Sequence, residues 1–338
     1  MSCSKRAQKQ DFCNILIVGA TGVGKSSLIN YLAGKNVAKV GVGVPVTSRD
    51  DVPSYQCTVA GVKLKLFDTW GIEADKTEDW KDRIRSIIGS RGEDGVAWFH
   101  TIVYCISAGG QRVQAYDRQM IRFFKDEGYS LVIALTKSDQ VSQSSAAQML
   151  SVLPKSFPIV EISSGGRIRS GFSEPFGQEE LLAKIVERAL KNLPSRAKRF
   201  AMARIDAWEE EMLDDLGYKD VSCFGNSDIE NWIKDRASEF SYELGEATDS
   251  FLEKEYEILN VWSQSKMLKS NGVEIDVCSL KEEVSSLSIG EAVLGIILSP
   301  FVIVAGLFKG ADWAREELEK MIRNAAEQYR IAVTMRYE

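Results

Sequence analysis

The feature that most restricts what this 338-residue chain can fold into is the stretch GATGVGKS, Gly19 to Ser26. It lies between the apolar run FCNILIV and the helical pattern SLINYLAG. Gly19, Gly24, Lys25 and Ser26 fit G-x-x-x-x-G-K-[ST], a loop that joins a strand to a helix. Glycines let the backbone close around phosphate oxygens, and the helix N-terminus adds aligned N–H dipoles. In that geometry Thr21, Gly22, Val23, Gly24 and Ser27 line the cradle, Lys25 reaches the β- and γ-oxygens, and Ser26 offers a ligand to Mg²⁺.

Apolar strand-like runs and helical patterns alternate from Phe12 to Leu193. The strand candidates are NILIVG, SYQCTVAGV, KLKLFDT, TIVYCIS, LVIALT and PIVEIS, interleaved with SSLINYLAG and DRQMIRFFKDEG. This pattern predicts an α/β domain over 12–195 with a mostly parallel six-stranded sheet covered on both faces. The pair within 54–68 reads as a hairpin adding an antiparallel edge. SSGGRIRSGFSEPFG reads as a loop, and QEELLAKIVERALKNL as a helix ending near Pro194.

Beyond Arg196 strand signals nearly stop. Phe200, Ile205, Trp208, Met212 and Leu216 recur at helical spacing, as do Ile229, Ile233, Ala237, Phe240, Leu244, Ala247, Phe251 and Leu259. An all-α domain over 196–338 is expected, with 1–11 a disordered leader to the first domain. The charge divides at the same place. From Arg196 onward 17 Lys and Arg face 28 Asp and Glu, a net of −11 that leaves +5 for the first part of a chain whose total is −6. An acidic appendage is a poor partner for nucleic acid, whose affinity is dominated by cations neutralising phosphates.

Cys3, Cys13, Cys57, Cys105, Cys223 and Cys278 form no CxxC pair, so neither a zinc site nor a disulfide framework is indicated. The polar start MSCSKRAQKQ has no apolar secretory stretch and no Gly at position two for myristoylation. A cytoplasmic protein is the expectation. Residues 292–308, AVLGIILSPFVIVAGLF, are uncharged but interrupted by Pro300. A buried bent helix, peripheral membrane contact and a partner-binding helix all stand open for them.

Four further motifs lie downstream, in the chain order GVGVPVTSRD, LFDTWG, TKSD and EISS. TKSD, Thr136 to Asp139, comes after the apolar strand LVIAL. Asp139 can accept from guanine N1–H and the exocyclic amine, a pair adenine does not offer, while the Lys137 stem lies along the base. LFDTWG places Asp68 at a strand end, where a carboxylate would hold Mg²⁺ through water, with the Gly71 N–H available to a γ-phosphate. Upstream, GVGVPVTSRD supplies Thr47, with Ser48 adjacent, in a segment suited to closing on Mg²⁺ and γ-phosphate. EISS brings Ser163 and Ser164 to the end of the last strand, where a backbone N–H meets guanine O6.

In this order the motifs resemble the P-loop GTPases of the translation-factor class, closest in flavour to Era-like and immunity-related GTPases, over roughly 12–193. The matching residues are GATGVGKSSLIN, GVGVPVT, DTWG, TKSD and ISS. The resemblance implies GTP and GDP as ligands with Mg²⁺, and hydrolysis in which Lys25, Thr47 and Gly71 serve the γ-phosphate while Ser26, Thr47 and Asp68 serve the metal. It also implies dimerisation through the G domains, with a helical domain that couples nucleotide state to self-association, a partner or a membrane. A ribosome- or RNA-associated assembly GTPase and a non-hydrolysing GTP-stabilised module are the alternatives.

The chain departs from the pattern in two places. Ras-like enzymes follow the DxxG glycine with a water-orienting Gln, but Ile72 stands here. Slow turnover of the isolated domain is therefore expected, with a missing group supplied from elsewhere. Gly22 replaces the Asn with which some Era-like enzymes organise potassium. Arg49 and Arg112 are candidate fingers, and the single His100 reads as structural.

Overall fold

The structure, a computed structural model, describes residues 12–38, 52–72, 77–89, 99–168, 171–219, 226–272, 276–289 and 310–337. The expectations for 1–11, Thr47, Ser48, Arg49 and 292–308 lie outside these residues.

Six strands form one sheet: β1 (Cys13–Gly19), β2 (Ser54–Val59), β3 (Val62–Asp68), β4 (Thr101–Ser107), β5 (Leu131–Thr136) and β6 (Ile159–Glu161), in the order β2-β3-β1-β4-β5-β6. All neighbours are parallel except β2 and β3. The edge hairpin is thus as the sequence predicts. Its two-residue turn places Ala60 and Gly61 at φ 50° and 86°, the left-handed pair that suits a twisted hairpin. Every residue of β1 and β5 is buried, so these strands read as mostly apolar runs, with Asn14 and Thr136 the polar exceptions.

The covering helices are α1 (Lys25–Ala33), α2 (Thr77–Gly89), α3 (Ala115–Asp126), α4 (Gln143–Val152) and α5 (Gln178–Lys191). Leu16, Val18, Phe67 and Tyr104 share one apolar cluster with Trp80 and Ile84 of α2 and Phe123 and Phe124 of α3. On α1 and α5, Leu28, Ile29, Leu182 and Ile185 are buried. Because the strands are parallel, Gly19, Asp68, Ser107, Thr136 and Glu161 end along one edge of the sheet, with β1 at the point where the chain turns outward in opposite directions. In open α/β sheets, ligands bind at that edge.

Two features differ from the sequence reading. The glycine-rich stretch after β6 is not all loop, because β7 (Gly166–Ile168) and β8 (Gly171–Ser173) pair as a small antiparallel hairpin. α5 ends at Lys191, near Pro194 as expected, but Pro194 itself belongs to the next element. It lies in the first turn of the next helix, α6 (Leu193–Tyr218), where its missing N–H costs nothing.

The remainder of the described chain is helical: α7 (Asn226–Ser263), α8 (Lys266–Ser270), α9 (Val277–Ser286) and α10 (Gly310–Tyr337). Ile205, Trp208 and Met212 of α6, Ile233 and Phe240 of α7, and Ile322 and Tyr329 of α10 make a second core. The chain divides into two compact units, and Glu257–Val277 groups with the sheet unit, whereas Pro194–Tyr256 and Cys278–Glu338 form the helical one. The sequence boundary at 195 did not anticipate this return.

Candidate nucleotide site

Residues 19–26 form the expected loop. Gly19, Gly22 and Gly24 have φ of 146°, 77° and 105°, all in space that side chains avoid. At Gly19 a Cβ would also lie 2.4 Å from the Cys105 carbonyl oxygen on the neighbouring strand. Only glycine allows the loop to leave the sheet there. Gly24 caps α1 with its backbone alone, so the first turn of the helix opens toward the loop.

Lys25 is buried, and its Nζ donates to the Gly19 and Ala20 carbonyls at 3.0 Å each. Burial holds this ammonium below the ordinary lysine range, with the Asp68 carboxylate opposing the shift. Ser26 Oγ donates to Asp68 Oδ2 at 3.1 Å, which joins two of the three residues expected to serve the metal although 42 positions separate them. Asp68 is 2% exposed at the end of β3. Beside it Thr69 holds the ladder closed, its N–H and Oγ1 both donating to Ile17 O at 3.3 and 2.9 Å. The sequence reading passed over Thr69 because it weighed only Asp68 and Gly71 in this motif.

The TKSD segment grips the same loop. Thr136 Oγ1 donates to the Val23 carbonyl, so this residue braces the cradle. Lys137 takes a left-handed backbone, φ 56°, and its Nζ donates to Gly22 O at 2.7 Å. Asp139 sits half-exposed in the 3-10 turn that follows. That turn contacts the Ala108–Gly110 turn after β4, a further wall that the sequence did not indicate.

Ser163 and Ser164 separate in role. Ser163 exchanges backbone hydrogen bonds with Phe176 at 3.2 and 3.0 Å, and its hydroxyl accepts from Gly165 N. Its N–H is therefore engaged within the protein, whereas Ser164 is exposed. Arg112 is exposed near Tyr116, and nothing places it at the phosphate loop. His100 is structural as read: it is fully buried, and its Nδ1 accepts from Asn14 N at 3.0 Å. Ile72 is not merely a missing glutamine. It is 3% exposed and bridges Ala20 through the backbone.

The residues present fit a nucleoside phosphate with Mg²⁺. Thr21 Oγ1 is buried with no hydrogen-bond partner among the described residues, and the Ser26–Asp68 pair presents hard oxygen ligands. The profile of the 50S ribosome-binding GTPase family matches residues 14–137. This segment is a P-loop GTPase domain. The GTP-binding protein EngB of Aquifex aeolicus is 28% identical over 181 residues, covering 52% of this chain and 91% of its own. GTPase Der of Bifidobacterium longum is 33% identical over 135 residues, 40% of this chain, which spans only 27% of that relative. Among solved structures, Toc33 from Arabidopsis thaliana covers 53% of the chain at 20% identity with a TM-score of 0.40. The GTPase domain thus accounts for what is shared, and the helical unit lies largely beyond it.

Proposed function

We propose that the chain is a GTP-binding and GTP-hydrolysing switch whose helical unit responds to the nucleotide held by the GTPase domain. The observation that carries this reading is the convergence on one loop of Lys25, the Ser26–Asp68 pair at 3.1 Å and the Lys137 bond to Gly22 at 2.7 Å. Lys25, itself buried, offsets phosphate charge. Asp139 selects guanine, since its carboxylate would find no matching pair of donors on adenine. Ser26 and Asp68 would hold Mg²⁺, with Thr47 the third ligand expected from the sequence, and the metal would supply charge neutralisation to the phosphates when bound.

Self-association through the GTPase domains is the second part of the proposal, following the resemblance to immunity-related GTPases. Ile72 can neither orient water nor donate a proton, so an activating group from a second copy would explain an otherwise competent site. GTP turnover per molecule, measured over a wide range of protein concentration with ATP as control, tests both parts. Turnover that rises with concentration supports activation between copies. Slow turnover independent of concentration overturns that part, and equal turnover of ATP overturns the guanine assignment.

A second reading has a specific basis in the relatives: the family profile is named for 50S ribosome binding, and a similar protein is a tRNA modification GTPase MnmE from Syntrophomonas wolfei. The acidic helical half does not favour RNA, but the sheet unit carries the positive share of the charge. Salt-sensitive, nucleotide-dependent co-sedimentation with ribosomal particles would favour this reading over self-association. Among the described residues no helix is long and apolar enough to cross a membrane.

A further inference from the structure

β3 ends at Asp68, yet the chain does not leave the sheet there. After Thr69 bonds Ile17, Ile72 N donates to Gly19 O at 3.1 Å and Thr21 N donates to Ile72 O at 3.4 Å. Ala20 and Ile72 thus form a parallel bridge, and the DTWG segment lies along the first residues of the phosphate loop. Gly71 is pressed against Thr21, since a Cβ built on it would stand 2.2 Å from Thr21 Oγ1 and 2.5 Å from Thr21 N. A phosphate oxygen needs roughly 3 Å to each polar neighbour, and no such gap exists between these residues. The Thr21 amide is given to Ile72, and the Thr21 hydroxyl is buried without a partner.

The Ile72 side chain holds this arrangement down. It is 3% exposed within the cluster that includes Leu16, Phe67, Trp70 and Trp80, with the two indoles 6.3 Å apart. A glutamine buried there would need partners that these apolar neighbours do not provide. Lys25, meanwhile, is satisfied by the Gly19 and Ala20 carbonyls. The loop amides that follow Thr21 receive the α- and β-phosphates, and the side bounded by Lys25, Asp68 and Gly71 is where a third phosphate would go. On this geometry a diphosphate would leave the bridge in place, whereas a triphosphate would require Gly71 to lift, breaking both backbone bonds and drawing Ile72 out of its cluster.

Building on the GTPase reading above, we propose that Ile72 is a specificity-determining residue, setting the preference for GDP over GTP by anchoring Gly71 across the γ-phosphate position. A ligand shifts such an equilibrium only by its difference in affinity for the two states, and the third phosphate is that difference.

The test is titration of the full chain, in Mg²⁺, with GDP and with a non-hydrolysable GTP analogue. Wild type is expected to bind GDP at least tenfold more tightly. Ile72→Ser, which removes the apolar anchor, should narrow that ratio at least fivefold while GDP affinity stays within twofold, and Ile72→Val should leave the ratio unchanged. Gly71→Ala, whose methyl cannot sit against Thr21, should narrow the ratio too, and it carries the test if the Ile72→Ser chain does not fold. Equal wild-type affinities, a ratio unmoved in both variants, or parallel shifts for the two nucleotides would each overturn the proposal. Failure of the wild type to bind either nucleotide would instead bring down the GTPase reading, and this inference with it.

Discussion

Lys137 shows how single residues build the guanine side of the site. Its left-handed backbone, φ 56°, costs about 1 kcal/mol for a residue with a Cβ, and it turns the side chain back onto Gly22 O at 2.7 Å. The same turn presents Asp139 two residues later. Asp139→Asn replaces an acceptor-only group with one that also donates, so it loses a bond to guanine and gains one to the 2-oxo group of xanthine. We expect GTP affinity to fall at least about 100-fold and XTP affinity to rise, read by competition against a fluorescent guanine nucleotide. At the strand end, Gly19→Ala puts a methyl 2.4 Å from the Cys105 carbonyl oxygen at φ 146°. That strain should lower stability by about 1–3 kcal/mol in urea unfolding and abolish nucleotide binding. Cys105 itself is fully buried, and burial pushes its thiol up to about 12. Peptide mass spectrometry after iodoacetamide treatment at pH 8 should therefore find Cys105 unmodified until the chain is unfolded.

Elements were legible in the sequence wherever one face or both faces are buried against a neighbour close in the chain. β1, but for Asn14, and β5 up to Thr136 are apolar runs because both sheet faces are covered, and the edge hairpin was legible from two strand-like arms with AGVK between them. The phosphate loop and TKSD were legible because their chemistry dictates residue types at fixed spacing. What failed was information carried by backbone geometry or distant packing. β7 and β8 are three residues each, too short for a period to register. The absent glutamine at Ile72 was plain, but its bridge to Ala20 is a main-chain bond that no side-chain pattern encodes. The helical stripes told which face of α6 and α7 is buried, yet not that Arg196 and Glu255 are both buried between them at 1% exposure. Arg196 Nη2 donates to Glu255 Oε1 at 2.8 Å and Nη1 to Oε2 at 2.5 Å, a fork that Phe251, 5.7 Å away, shields from water. Removing one partner leaves a buried charge uncompensated, whereas removing both does not. Glu255→Ala should cost about 3–5 kcal/mol in urea unfolding, and Arg196→Met with Glu255→Leu should recover most of it.

At the scale of the whole molecule, the return of Glu257–Val277 to the sheet unit decides what can be cut apart. α7 is one continuous helix, and its last turns leave the helical unit's residues to pack beside the sheet. There Trp262, 2% exposed, lies 5.9 Å from the His100 ring, and Ser265 Oγ donates to Ala60 O at 3.0 Å. His100 opens β4 and Asn14 lies at the start of β1, so these contacts are at the end of the strands opposite Gly19 and Asp68. A strand of this length separates the two ends by roughly 15–20 Å. A fragment of residues 1–195 would keep every motif of the nucleotide site and lose the strap. Leaving bare the surface that Ile258, Leu259, Trp262 and Leu268 help bury should cost about 1.5–3 kcal/mol for each large side chain, less whatever the fragment recovers by local collapse. We expect its melting temperature to fall at least about 5 °C below that of the full chain, while GDP affinity drops less than about threefold. A fragment as stable as the full chain would mean that the strap only rests on the sheet. A fragment that melts lower and also loses GDP would mean that the far end of the strands supports the phosphate loop, tying α7 directly to the occupancy of the site.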